Sequence, residues 1–206
     1  IISVIFHPIF MPLIALKLTL FLVPSIGFAL NTYIRFIVGI VVISTIVFPL
    51  ISILFFIKAG SVKSLEMSSH KERFPPLICS ALFMFVGCQF VNSALTFTPI
   101  LKAEFLGAIV IVSLAAFISK FWKISLHMLG VGGLVGVLIG LNFLYGGLSQ
   151  FVVISILLSG VLGVSRINEK AHNYSQVYTG FIVGVSVELI ALLLIYYHFN
   201  DFNFSL

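Results

Sequence analysis

The chain carries Ser165-Arg166, five further residues and then His172, and this pattern is the one best suited to chemistry. Arginine offers a planar fork of donors that matches phosphate oxygens. A neutral imidazole can attack phosphorus or protonate a leaving oxygen. A second polar group, Lys123-Ile124-Ser125-Leu126-His127, repeats those residue types earlier in the chain. A third runs from Lys58 through His70-Lys71-Glu72-Arg73 to Pro76. Two histidines, two arginines and hydroxyls converging on one place would suit a phosphate. Each group also borders a long apolar run, so a simpler explanation competes: basic loops mark the cytoplasmic side of a membrane protein. That rule covers the lysines and arginines but not the serines and histidines beside them.

The elements that must position these residues are membrane helices. Of 206 residues, 61% are hydrophobic and 8% charged, with mean hydropathy +1.26. Soluble domains are about a quarter charged, because a folded surface must stay wetted. Lipid is therefore the solvent for most of this surface. The composition implies an all-α fold, an integral membrane antiparallel bundle of six or seven transmembrane helices, forming a single domain over 1–206. A crossing needs about 20 mostly apolar residues, which gives seven candidates: 9–30, 34–57, 76–98, 104–119, 126–146, 148–164 and 177–198. The first is irregular, with Pro8, Pro12, Pro24 and Lys17 inside it, and is expected to kink or to begin at the interface.

The three polar groups follow the second, fourth and sixth candidates, so parity puts them on one side of the membrane. Lys58, Lys63, Lys71, Arg73, Lys120, Lys123, Arg166 and Lys170 gather there, while Arg35 and Lys102 fall opposite. The net charge of +5 is spread over loops, which suits topology and anionic ligands and excludes a nucleic-acid partner. Gly130, Gly132, Gly133, Gly136 and Gly140, with Gly180 and Gly184, predict a close helix-packing seam and not a phosphate loop. Cys79 and Cys88 stand nine residues apart in one apolar run and cannot pair. Ile1 opens the sequence without a methionine, so the true N-terminus is expected upstream.

At these residues the chain resembles the type 2 phosphatidic acid phosphatase superfamily, the lipid phosphate phosphatases, as a divergent member over roughly 58–198. That family carries Lys-x6-Arg-Pro, then Pro-Ser-Gly-His, then Ser-Arg-x5-His-x3-Asp. Ser165, Arg166 and His172 reproduce the third spacing in full. Ser125 and His127 stand in the second, with Ile124 and Leu126 replacing proline and glycine. The first is reduced to Arg73, with Phe74 before Pro75 and Glu66 where the lysine belongs; Lys63 or Lys71 could substitute. The resemblance implies a nucleophilic His172 forming a phosphohistidine and His127 as acid and base. Arg73, Lys123, Ser125, Ser165 and Arg166 would hold the phosphoryl group. It implies no metal and no cofactor, a lipid phosphate or diphosphate as substrate, membrane lipids as surroundings, compatibility with an oligomer, and the bacterial inner membrane as location. Bacterial members face outward, whereas the lysine and arginine count points inward, and the side stays open.

Gln176 stands where the family has its final aspartate. It can hold the tautomer of His172 but adds no charge, a loss that costs a serine protease about 10⁴-fold. Glu169 and Glu188 are alternative carboxylates, although Glu188 lies about 18 Å along a helix from Gln176. Two other readings follow. One is a silent relative that binds a phosphorylated lipid or a membrane partner. The other is a small transporter, for which Lys17, Asn142 and Glu188 are the only midplane candidates.

Overall fold

A computed structural model describes residue 3 and residues 6–65, 67, 69–95 and 98–204, with side chains as far as residue 198. The described residues form helices and no strands. A 3₁₀ turn, Pro8–Phe10, leads into α1 (Met11–Leu22) and α2 (Pro24–Ala29). A long span follows, made of α3 (Ile34–Val42), a π-helical segment (Ile43–Val47) and α4 (Phe48–Lys58). Five more complete the bundle: α5 (His70–Leu95), α6 (Pro99–Ser119), α7 (Leu126–Tyr145), α8 (Ser149–Asn168) and α9 (Tyr174–Phe204).

Among the described residues, six helices are long and apolar enough to cross a membrane. The first candidate, 9–30, is not among them. Pro24 has no N–H and disfavours helix in the residue before it, so α1 stops at Val23, whose φ is −124° and ψ 78°. At twelve residues α1 reaches only about 18 Å of a core about 30 Å thick. The span expected from residue 76 starts at His70 instead, so Pro75 and Pro76 stand inside the helix as its sixth and seventh residues, where each removes one rung of the hydrogen-bond ladder. The π segment lies where Ser44 and Thr45 both donate to the Val41 carbonyl, ahead of Pro49. Side-chain bonds to the backbone and a missing donor together loosen the regular ladder there.

The helix α7 is the core of the bundle, with residues buried all round from Met128 to Leu141. The outer helices turn large apolar groups outward, among them Phe55, Phe90, Leu157 and Leu194, each about two-thirds exposed. That is the pattern of a bundle solvated by lipid. The glycine seam joins α7 to α9. A Cβ on Gly132 or Gly136 would strike the carbonyls of Phe181 and Val185. One on Gly184 would strike the Leu129 carbonyl, and one on Gly180 would lie 2.8 Å from the Ser125 carbonyl oxygen. Cys79 and Cys88 are free.

Overpacking such a backbone contact costs about 1–3 kcal/mol. Gly184→Val is therefore expected to lower resistance to denaturing detergent by that amount, while Gly160→Ala, which has open space around it, leaves it unchanged or raises it. Unfolding curves of the purified protein in detergent measure both.

Candidate active site

Because the bundle alternates, α5, α7 and α9 all begin on the side where α4, α6 and α8 end. Each helix start brings unpaired N–H groups and about half a positive charge, so this face favours anions before any side chain is counted.

The loop between α8 and α9 is built by two local motifs. Lys170 has φ 52°, its N–H reaches the Ile167 carbonyl at 2.9 Å, and the Ala171 N–H reaches the Arg166 carbonyl at 3.2 Å. This Schellman pair closes α8 and reverses the chain, with a lysine in a left-handed conformation that costs roughly 1–2 kcal/mol. The reversal brings the His172 N–H to the same Arg166 carbonyl, at 3.3 Å. Asn173 then caps α9. Its Oδ1 accepts the Gln176 N–H at 2.9 Å, and Gln176 Oε1 accepts the Asn173 N–H at 3.3 Å. That is a reciprocal capping box.

The box fixes the chemistry of His172. A backbone N–H only donates, so the Gln176 atom facing Asn173 is the amide oxygen. His172 Nδ1 lies 3.0 Å from that oxygen and must carry the ring hydrogen, which leaves a lone pair on Nε2. Burial holds the His172 pKa down to about 4, and the fields of Arg73, Lys123 and Arg166 push the same way against the Gln176 bond. At neutral pH the ring is uncharged with Nε2 free. That is the state a nucleophilic histidine needs.

The other residues converge on it. The Ser125 N–H donates to the Gln176 carbonyl at 3.3 Å, joining the start of α7 to that of α9. Arg73, 6% exposed, donates from Nε to the Met67 carbonyl at 2.9 Å and from Nη1 to the Ile124 carbonyl at 3.0 Å. Arg166 lies within Coulombic reach of His7, Arg73, Lys123, His127 and His172. Burial lowers the Lys123 pKa, and Arg73 and Arg166 add to the effect. Among the described residues Arg166–Glu169 is the one ion pair, at 2.7 Å. Arg166 Nε and Ser125 Oγ are buried with no partner among the described residues. Of the three cations only Arg166 meets a carboxylate among the described residues, and that carboxylate is half-exposed. Burying charge this way costs several kcal/mol unless an anion enters.

Several expectations need correction. Lys63 and Lys71 are exposed, and neither stands in for the missing lysine; Glu66 lies outside the described residues. Lys123 supplies the third cation. Ser165 donates to Glu169 at 2.9 Å. Glu169 engages Ser165 and Arg166 and does not take the place of the missing aspartate; the Ser165 bond is the main cause that lowers its pKa. Glu188 lies deep in the bundle, under Gly107 and Gly136. Asn142 serves the turn after α7, accepting from the Leu148 N–H at 2.8 Å, and Lys17 is exposed.

Two contacts had no sequence signal. His7 packs edge-on against His127, with ring centroids 5.4 Å apart. His127 Nε2 lies 3.0 Å from the Ser3 carbonyl and so carries a hydrogen toward it.

A histidine held neutral in the fold binds a proton more readily once unfolded, so stability falls as pH drops from about 6.5 toward 4 and is whole above that window. The thermal midpoint of His172→Asn is expected to fall less steeply than that of the parent chain between those pH values; equal slopes would mean that His172 is not held neutral. Compared with family models, curated protein sequences and solved structures, the chain matches none, so the site stands on its own geometry.

Proposed function

We propose that the chain is a membrane lipid phosphate or diphosphate phosphatase acting through a phosphohistidine. The observation that carries this reading is His172, neutral and with Nε2 free, beside a buried Arg73 and a half-buried Lys123 and Arg166. The phosphoryl oxygens take the free donors of Arg166 and Ser125, the remaining N–H groups of Arg73 and the Lys123 ammonium. The substrate's leaving oxygen replaces the Ser3 carbonyl at His127.

In the first step the Nε2 lone pair of His172 forms an N–P bond as the bond from phosphorus to the lipid oxygen breaks. That oxygen takes a proton from the His127 imidazolium, which the phosphate's negative charge favours. The new cation on His172 keeps its Nδ1–H on Gln176. In the second step His127 accepts a proton from water, the water oxygen bonds to phosphorus, and the N–P bond breaks to return its electron pair to Nε2. Inorganic phosphate leaves. Fixed cations and helix starts stabilise the charge of both transition states. A lipid is the fitting substrate because the pocket lies at the end of six apolar spans.

The second reading is a silent lipid phosphate binder. The observation in its favour is Gln176, whose oxygen is already shared between the Asn173 N–H and His172 and brings no charge. Phosphate release from isoprenoid and glycerolipid phosphates by the purified protein is expected to fall to background in His172→Ala. Gln176→Asp is expected to raise the rate about tenfold or more, part of the 10⁴-fold that an orienting carboxylate is worth elsewhere. Equal activity with and without His172 would sink the mechanism. Tight binding without turnover, and no gain from Gln176→Asp, would establish the silent binder.

A further inference from the structure

The cations on the face of the pocket fall into two populations that their surroundings separate. Arg73, Lys123 and Arg166 belong to the pocket, since each lies within the electrostatic field of the other two. Lys58, Lys63, Lys71, Lys120 and Lys170 do not. All five are exposed, and none pairs with a carboxylate among the described residues. Lys120 rests its ammonium over the Phe74 ring, 4.1 Å from the centroid, at the outer edge of the bundle.

The opposite ends of the spans carry far less charge. Arg35 lies in the first turn of α3 and Lys102 in the first turn of α6. The turn 146–148, between α7 and α8, has no charged residue. Lys17 stands within α1 and counts for neither end. Lysine and arginine in short loops near the ends of spans stay on the cytoplasmic side, and acidic residues contribute little to that bias. The loops here meet the condition, because the longest between two spans is 59–69. A bias made of pocket cations would carry little weight, since a bound anion is reason enough to keep them. With those set aside, the five exposed lysines still outweigh Arg35 and Lys102, and they have no task in the pocket.

We propose that the pocket opens to the cytoplasm, that its lipid phosphate is drawn from the cytoplasmic leaflet, and that phosphate is released to the cytoplasmic side. The orientation stands on the lysines alone; the substrate pool rests on the phosphatase reading above. This is the reverse of the outward orientation that comes with the family resemblance. The reaction supplying such a substrate attaches phosphate to a lipid at the inner leaflet, where nucleotide phosphoryl donors are held. A lipid phosphate set free at the outer leaflet must first cross the membrane to meet this pocket. The five lysines face the anionic headgroups of the inner leaflet, whose surface potential attracts basic segments.

Orientation is read without phosphate. Ser61→Cys reports the pocket face and Asn31→Cys the opposite one; both positions are exposed, and neither change alters the charge. Cys79 and Cys88 lie within α5, so the parent chain gives the blank. In intact bacterial cells making the full chain, a membrane-impermeant maleimide is expected to label Asn31→Cys. Ser61→Cys is expected to reach about a tenth or less of the labelling it shows after permeabilisation. The opposite pattern, or equal labelling of both in intact cells, overturns the proposal. A second readout covers cysteine variants that fail to fold. Alkaline phosphatase, active only outside the cytoplasm, is expected to be active when fused after Leu206, because α9 begins on the pocket face and runs to the other. An inactive fusion whose green-fluorescent counterpart is bright overturns the orientation as well. The substrate pool is read with octyl phosphate added to sealed membrane vesicles. Inverted vesicles are expected to release phosphate about tenfold faster than right-side-out ones, since a charged head crosses hydrocarbon slowly. Equal or reversed rates overturn the pool. No release from either, with labelling as expected, tells against the phosphatase reading and leaves the orientation standing.

Discussion

The close approach of α7 and α9 is the constraint on which the rest depends. Glycines at 132, 136, 180 and 184 bring two backbones within reach of each other, and no side chain fits between them. Lipid offers apolar residues nearly what a neighbouring helix does, so a seam of this kind is held by dispersion between close backbones and not by the exclusion of water. At its upper end the seam leaves Gly180 under the Ser125 carbonyl and the Ser125 N–H on the Gln176 carbonyl. Two of the polar groups, one around Ser125 and His127 and one around His172 and Gln176, are registered to each other by main chain. Main-chain register is stiff, and a site built on it holds its geometry without help from long side chains.

What the seam brings together is electrostatically unfavourable in isolation. Arg73 is satisfied by two carbonyls and faces no carboxylate among the described residues. Arg166 spends one nitrogen on Glu169 and leaves Nε unpartnered. Carbonyl oxygens orient a guanidinium without neutralising it, so Arg73 keeps its charge for something else. The helix starts of α5, α7 and α9 add to the same field. A pocket of this sort stores binding energy for an anion as destabilisation of the empty state. Burial first, and the surrounding positive charge after it, keep the His172 imidazole neutral, the state that the proposed attack needs.

The sequence was most legible where a rule is short-ranged or topological. Six of the seven apolar runs are spans, and parity placed all three polar groups on one side without knowledge of any contact. The 9–30 run, which its prolines and Lys17 marked as irregular, breaks at Pro24 and leaves a helix too short to cross. Glu104 carries no sequence signal, because its bond to Thr19 crosses 85 positions of sequence. His7 could not be placed beside His127 from spacing, since the contact depends on how the broken N-terminal segment tucks against α7. Asn173-x-x-Gln176 is a capping signature, but its spacing alone does not show that the same Gln176 oxygen also meets His172.

That last point changes how Gln176 is understood. At the third position of a helix, glutamine and glutamate serve a capping box better than the shorter aspartate. A glutamine here closes the box and holds the His172 tautomer with one oxygen. An aspartate would add a charge inside a cluster of cations. In a pocket poor in positive charge the aspartate is needed to stabilise the imidazolium that forms on attack. In the proposed reaction the phosphoryl group would itself bring negative charge among Arg73, Lys123 and Arg166, directly against the new cation. The neutral partner then costs less than the serine protease comparison implies, because part of the stabilisation has moved from the orienting residue to the substrate.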